Sequence, residues 1–369
     1  MKKKIIIGLF ISLLGGVLLM RLSFHKQETY YFPKEDQPHE GTWLTWPHPY
    51  TYGESYAQSI EPIWVEMVKA LAPDEKVHIV AYDATYEHHI RQLLQKEQVK
   101  LSNVDFTLAK TDDVWTRDTG PMFVYNQEGE LTVADFAFDG WGRKAPYKQD
   151  DRLPQLIAAE KGLLIVDIAD FVLEGGSFEL SGDGTLLATK SSVISKNRNP
   201  KLSQKVAESY LEKYLGATHF IWLEGVTDED ITDAHIDGFA RFYDEQTLLT
   251  VSQDDFYDLY EGILASDYQT LAQAKNAAGQ PYRLEELPLT AENVAGLDYR
   301  GSYLNFYLGN KSLLLPVYGD ANDAYVIDKL QGLYPQKRIV PINVVALYRH
   351  GGMLHCVTQQ QPYDKEVGK

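Results

Sequence analysis

Hydrophobic positions follow two rhythms along the chain. Short runs rich in β-branched and apolar residues recur as KVHIVAY at 76–82, LLIVDI at 163–168, HFIWL at 219–223, SLLLPVYG at 312–319 and RIVPINVVALY at 338–348. Such runs predict strands. Longer stretches with helical spacing lie between them, ATYEHHIRQLLQKE at 84–97 and ANDAYVIDKLQGLYP at 321–335. A further helix is expected from residue 199 to 215. Asn199 can cap it and Pro200 suits its first turn. Leu202, Val206, Tyr210, Leu211, Tyr214 and Leu215 make its apolar face, and Gly216 stops it. FELSGDGTLLAT, residues 178–189, predicts a hairpin turning at Asp183-Gly184. The pattern is that of an α/β chain with many short strands. Neither a sequence repeat nor a glycine-rich phosphate loop emerges from it.

The two rhythms begin only after residue 40. The chain opens MKKKIIIGLFISLLGGVLLMRLSFHK. Lys2, Lys3 and Lys4 precede an apolar run from Ile5 to Met20, which Arg21 ends. That is short for a membrane span and fits a signal-peptide core or an N-terminal anchor. No small-x-small cleavage site follows. An uncleaved anchor is therefore expected over residues 1–27, with the remainder, 28–369, exported and held at the outer face of the membrane. If the segment is cleaved, the protein is secreted. Residues 22–39 are polar and carry Pro33 and Pro38, which reads as a linker.

Charge and cysteine usage narrow the function. A net charge of -17 excludes a nucleic-acid partner, which needs a basic face, and suits a cationic ligand or plain solubility. Cys356 is the single cysteine, so no intramolecular disulfide forms, and an exported chain of this kind depends on its core.

Four polar segments interrupt the apolar pattern. DDVWTRDTGPMFV (112–124) presents Trp115, Arg117 and Asp118 ahead of Gly120-Pro121, at a strand end or in a loop. FVLEGGSFEL (171–180) ends an apolar run on Glu174 before Gly175-Gly176. DAHIDGFARF (233–242) holds His235 and Asp237 two apart, on one face if extended. HGGMLHCVTQQQP (350–362) holds Cys356, and a strand through Leu354, Cys356 and Thr358 would turn His355 to the opposite face. Each has a bland reading: a solvated turn, a surface ion pair, or a small inert core thiol. No cysteine or histidine cluster completes a metal shell, so no metal is expected. Taken together they have a chemical reading. A thiolate needs a base or cation, and His235 can supply it. Asp118, Glu174 and Asp237 near that sulfur would quench it unless the substrate is a cation. A planar guanidinium fits paired carboxylates best. A Cys-His peptidase or amidase is a rival, against which the three acids argue.

The chain resembles the agmatine deiminase and bacterial-type peptidylarginine deiminase family of guanidine-modifying enzymes. The matching stretches, in order, are EGTWLTWPH (40–48), DDVWTRDTGP (112–121), FDGWGRKAPY (138–147), LEGGSFELSGDGTLLAT (173–189), KNRNP (196–200), HIDG (235–238), SYLNFYLGNKSLLLPVYGD (302–320) and HCVTQQQP (355–362). The resemblance implies one α/β domain, a five-bladed propeller of ββαβ-type modules (the pentein fold) with the site on its axis. It implies Cys356 as nucleophile and His235 as acid-base. Asp118 and Asp237 would grip the guanidinium, and Glu174 would orient His235. Asn305, Trp115 and Trp141 would position substrate or wall the pocket. The implied product is a ureido compound plus ammonia, made without metal or organic cofactor.

FDGWGRK resembles the agmatine version of its segment, so a small cationic guanidino substrate is expected, agmatine first. Arg143, Ala234 where the family usually has Gly, and Gly238 where it usually has Asn leave arginine-containing peptides open. Homo-oligomer formation is open too. A non-catalytic binder of cationic ligands would have lost one of the five site residues, and all five are present.

Overall fold

The computed structural model describes residues 28–364. The expected anchor over residues 1–27 lies outside the described residues. Among these, no helix is long and apolar enough to cross a membrane.

Among the described residues five separate sheets form, none closed on itself, and each repeats one internal order. An edge strand pairs antiparallel with a central strand, which pairs parallel with a third. Met122–Tyr125 pairs with Leu131–Ala137 and then Leu164–Val172. Phe178–Leu180 pairs with Thr185–Thr189 and then His219–Leu223. Ala240–Asp244 pairs with Thr247–Val251 and then Arg283–Leu287. Tyr307–Leu308 pairs with Ser312–Val317 and then Arg338–Asn343. In the remaining sheet the edge strand is Gln359–Pro362, from the far end of the chain. It pairs with His39–Thr45, and Lys76–Ala81 and Val104–Leu108 follow in parallel. The last strand thus completes the first sheet.

Parallel neighbours need a crossover, and helices supply it. Glu54–Leu71 links the first parallel pair, and Leu153–Lys161, Gln204–Leu215, Ala265–Ala272 and Asp323–Leu333 serve the other sheets. The apolar faces of these helices cover the sheets. Trp64 and Met67 of the first helix and Leu211 and Leu215 of the third are fully buried.

The hairpin at 178–189 forms as expected, with Phe178 opposite Ala188 and Gly184 at a φ of +85° in the turn. The helix expected from Asn199 instead begins at Gln204, capped by the Ser203 side chain. Asn199 is already committed: its side chain bonds Val172 on both backbone sides and the Val193 carbonyl. The expected linker is also corrected within its described part. Tyr30, Phe32 and His39 are buried, and Tyr31 makes a β-bridge to Tyr125.

Candidate active site

Five of the expected polar site residues sit two to four residues ahead of an edge strand. Asp118 precedes Met122–Tyr125, Glu174 precedes Phe178–Leu180, Asp237 precedes Ala240–Asp244, Asn305 precedes Tyr307–Leu308, and Cys356 precedes Gln359–Pro362. The same point in each sheet therefore contributes one group, and the five meet.

Local geometry differs from the sequence expectation at three of these points. Leu354–Val357 is a turn, not a strand. Its amides are spoken for: Asn305 Oδ1 accepts from His355 N at 3.0 Å and from Cys356 N at 3.4 Å, so neither amide is free for a sheet ladder. The Cys356 thiol donates to the same oxygen at 3.4 Å. His235 caps a short 3-10 turn, Ile236–Gly238, that contains Asp237, so neither lies on a strand, yet both side chains reach the site. The Trp115–Asp118 stretch is likewise no surface turn. It enters a helical turn, Thr116–Thr119, whose residues are all buried.

Three acids and a histidine form one cluster, and the charges of two of the acids, Asp237 and Asp118, act on the sulfur. Asp118 Oδ1 accepts from Gly176 N at 3.0 Å and Oδ2 from the Trp141 indole at 2.9 Å. His235 Nδ1 is 3.8 Å from Asp118 Oδ2, and Nε2 is 3.3 Å from Glu174 Oε2. Glu174 is fully buried, not a solvated turn residue, and its Oε1 accepts from Arg198 Nε at 2.7 Å. Asp237 Oδ2 accepts from His355 Nδ1 at 2.7 Å. Glycine makes this convergence feasible. A Cβ on Gly176 would lie 2.6 Å from His235 Nδ1, 3.0 Å from Asp237 Oδ2 and 3.2 Å from Asp118 Oδ1. Gly352 similarly leaves room for the Trp115 ring, which a Cβ there would meet at 2.3 Å.

Trp141 is presented by an unusual turn. Gly140, Trp141, Gly142 and Arg143 all have positive φ, 72°, 56°, 82° and 67°. Left-handed backbone costs non-glycine residues about 1–2 kcal/mol each, and the two glycines reduce that cost. Asp233 and Ala234, at 61° and 64°, are a second left-handed pair directly before His235. Arg198, Lys144 and Asn197 all bond the Asp233 carboxylate and fix that pair. Asp233, Arg198, Glu174 and His235 therefore form one continuous chain of polar contacts.

The charges act on one another. Burial alone would lower His235, but Asp118 and Glu174 outweigh it and push the imidazolium up to about 9. Burial raises Asp118, and the charges of Glu174 and Asp237 add to that. Burial would raise Asp237 too, yet the His355 bond holds it below its ordinary value. Burial of the sulfur, with the charges of Asp237 and Asp118, pushes the Cys356 thiol well above its ordinary range. At neutral pH the ligand-free site thus pairs a protonated histidine with an un-ionised thiol, inside a ring of carboxylates. Such a site can seat a planar cation on the acids, with the sulfur beside its central carbon.

A model of the Porphyromonas-type peptidyl-arginine deiminase family matches residues 31–362. The chain belongs to that family. It is 30% identical over 361 residues to an agmatine deiminase of Ectopseudomonas mendocina, covering 91% of this chain and 96% of the relative. The agmatine deiminase of Enterococcus faecalis superposes with a TM-score of 0.81 at 28% identity, over 90% of this chain and 96% of that one. A substrate-bound cysteine-to-serine variant of the C. jejuni agmatine deiminase gives 0.80 at 27% identity, over 92% and 98%. The family match begins at Tyr31, inside the stretch read from sequence as a linker, in keeping with its packing here.

Four contributors went unassigned in the sequence. Arg198 lay within KNRNP, Gly176 within the Gly-Gly pair, His355 beside the cysteine, and Asp233 next to the HIDG stretch. Gly176, Asp233 and His355 fell inside the polar segments and Arg198 inside a family stretch, but neither signal assigns a contact.

Proposed function

We propose that this protein is an agmatine deiminase, hydrolysing agmatine to N-carbamoylputrescine and ammonia. The observation that carries the reading is the ring of Asp118, Glu174 and Asp237 around one thiol and one raised histidine. Carboxylates that suppress a thiolate make sense when the substrate brings the positive charge. In the reaction, Asp118 and Asp237 take the guanidinium nitrogens in charge-assisted hydrogen bonds. The bound cation offsets the field that keeps the proton on sulfur, and the thiol releases that proton to solvent as the thiolate forms. Cys356 then forms a C–S bond to the guanidinium carbon, and His235 gives its proton to the departing amino group, which leaves as ammonia. His235, now neutral, takes a proton from water as the water oxygen bonds the amidino carbon. Collapse breaks the C–S bond, leaving a ureido product and free thiol. Asn305 steadies the cysteine turn, and Trp115 and Trp141 wall the pocket.

Agmatine carries no carboxylate. Consistent with that, Lys144 is bonded to Asp233 and to the Asp230 and Ile231 carbonyls, and Arg198 is bonded to Glu174 and Asp233. A second reading, deimination of arginine in peptides, is favoured by the exposed Arg143 on the left-handed turn. The five sheets with one shared order, each giving a group to the site, support a five-bladed propeller with the site on its axis. The basic, then apolar N-terminus supports an exported protein tethered at the outer membrane face. The test is ammonia release from agmatine, free arginine and an arginine-containing peptide, with Cys356→Ala as control. Turnover of agmatine alone is expected. Cysteine-dependent release from the peptide would move the protein to the second reading.

A further inference from the structure

Glu35 belongs to no sheet, yet four groups converge on its carboxylate. Oε2 is 3.0 Å from Arg241 Nη2, 3.5 Å from Arg117 Nη2 and 2.7 Å from His355 Nε2, while Oε1 accepts the Leu308 amide at 2.9 Å. Burial would raise this carboxyl, but Arg241 and His355 hold it well below its ordinary range. The other nitrogen of His355, Nδ1, lies 2.7 Å from Asp237 Oδ2. Both ring nitrogens therefore face carboxylates, which accept only, so both donate. The ring and Asp237 are each 2% exposed. One carboxylate thus clamps a histidine that clamps another carboxylate inside the site.

We propose that Glu35 and His355 are positioning residues for the reaction: Glu35 fixes the His355 ring, and His355 Nδ1–H holds Asp237 Oδ2 so that Oδ1 faces the guanidinium. This rests on the deiminase reading and adds two residues to it. The segment carrying Glu35 becomes a working part of the site although it precedes every strand. The reason is geometric. Asp237 sits in the middle of a single 3-10 turn, and among the described residues its other hydrogen bond is a 3.4 Å one from its own amide to the Gly176 carbonyl. Its side chain needs an external clamp, and a misplacement of about 1 Å at a gripping group costs on the order of 100-fold in rate.

Two substitutions at His355 in the full chain separate positioning from mere filling. His355→Asn puts an amide N–H near the place of Nδ1, keeping the Asp237 bond and losing Glu35. His355→Gln puts it near the place of Nε2, keeping Glu35 and losing Asp237. With agmatine, His355→Gln is expected to lose on the order of 100-fold in kcat/KM, mainly in kcat. Its acid limb should move to higher pH, because Asp237 without its donor protonates sooner. His355→Asn should stay within roughly tenfold of wild type, with the limb in place. His235, Arg117, Asp118, Glu179, Tyr260 and Cys356 also face Asp237, so only the displacement of the limb between variants is read. Equal losses in both variants with an unmoved limb would overturn the proposal. If His355→Gln does not fold, Glu35→Gln is read instead: a lower kcat with the limb shifted upward supports the clamp, and an unshifted limb overturns it. Wild-type protein inert toward agmatine would reject the underlying reading, not this clamp.

Discussion

Gly176→Ala tests the site most directly, because one methyl group would touch three of its members. The new Cβ would sit 2.6 Å from His235 Nδ1, 3.0 Å from Asp237 Oδ2 and 3.2 Å from Asp118 Oδ1. Ordinary contact is about 3.4 Å or more, so His235 must retreat by roughly 0.8 Å and the carboxylates by a few tenths. Gly176 is not among the positive-φ residues, so alanine adds no backbone strain there and the effect is steric. Overpacking of this kind costs about 1–3 kcal/mol of stability, which a domain of this size survives at room temperature. Displacing the acid-base group by close to 1 Å should cost on the order of 100-fold in kcat/KM. Gly238→Ala is the matched control, since nothing lies within 4 Å of a Cβ there and its φ is not positive either. Steady-state ammonia release and thermal melting are measured on both variants. A folded Gly176→Ala within about threefold of wild type would refute the convergence of Asp118, His235 and Asp237 on this glycine.

The left-handed Ala234 predicts a stabilising change: Ala234→Gly removes about 1–2 kcal/mol of strain against about 0.5–1 kcal/mol of added chain entropy, so Tm should rise by about 1 °C, and a fall would contradict the strain. His235, raised from 6.5 to about 9, stabilises the fold fully below pH 6.5 and loses that contribution as pH rises through about 9. Unfolding free energies from urea melts should therefore be lower at pH 10 than at pH 6 by about 3 kcal/mol from this group, and His235→Gln should reduce the difference. Cys356 should be alkylated about 100-fold faster by a cationic haloacetamidine than by the isosteric neutral haloacetamide, because about 3 kcal/mol of attraction from the carboxylates acts on the cation alone. Equal rates by mass spectrometry would mean that the acids do not govern access to the sulfur.

Element types were largely legible in the sequence, because short buried strands and amphipathic helices leave opposite periodicities. HFIWL is the strand His219–Leu223 with unchanged ends, and 84–97 gives a helix one residue shorter. The fivefold repetition was not legible. Its constant feature is a strand order and one polar residue ahead of each edge strand, while the residues in those places differ: Asp118, Glu174, Asp237, Asn305 and Cys356. Helix starts failed where a capping residue had a better partner elsewhere, as Asn199 does with Val172 and Val193. The cysteine turn was mistaken for a strand because the group that consumes its amides, Asn305, is 51 residues away. Arg198 and Glu35 were missed for the same reason: each acts through a partner remote in sequence.

The arrangement of charge also bears on how a lone thiol endures. A nucleophilic cysteine usually carries a depressed pKa, and thiolate character is what exposes it to oxidation. Here the carboxylates do the reverse and hold Cys356 in its un-ionised form. A site that stays in that form until a cation neutralises Asp118 and Asp237 is selective in two senses. It discriminates against neutral substrates, and it withholds the reactive species from oxidants that carry no positive charge. The same carboxylates raise His235, so the acid needed for ammonia departure is loaded before the nucleophile is released. Removing one acid would therefore have opposing effects. The thiol would ionise more readily and meet neutral electrophiles faster, while the guanidinium would lose a grip and His235 would lose its proton at lower pH. The acids that look hostile to a cysteine nucleophile are, on this account, what makes its reactivity conditional on the substrate.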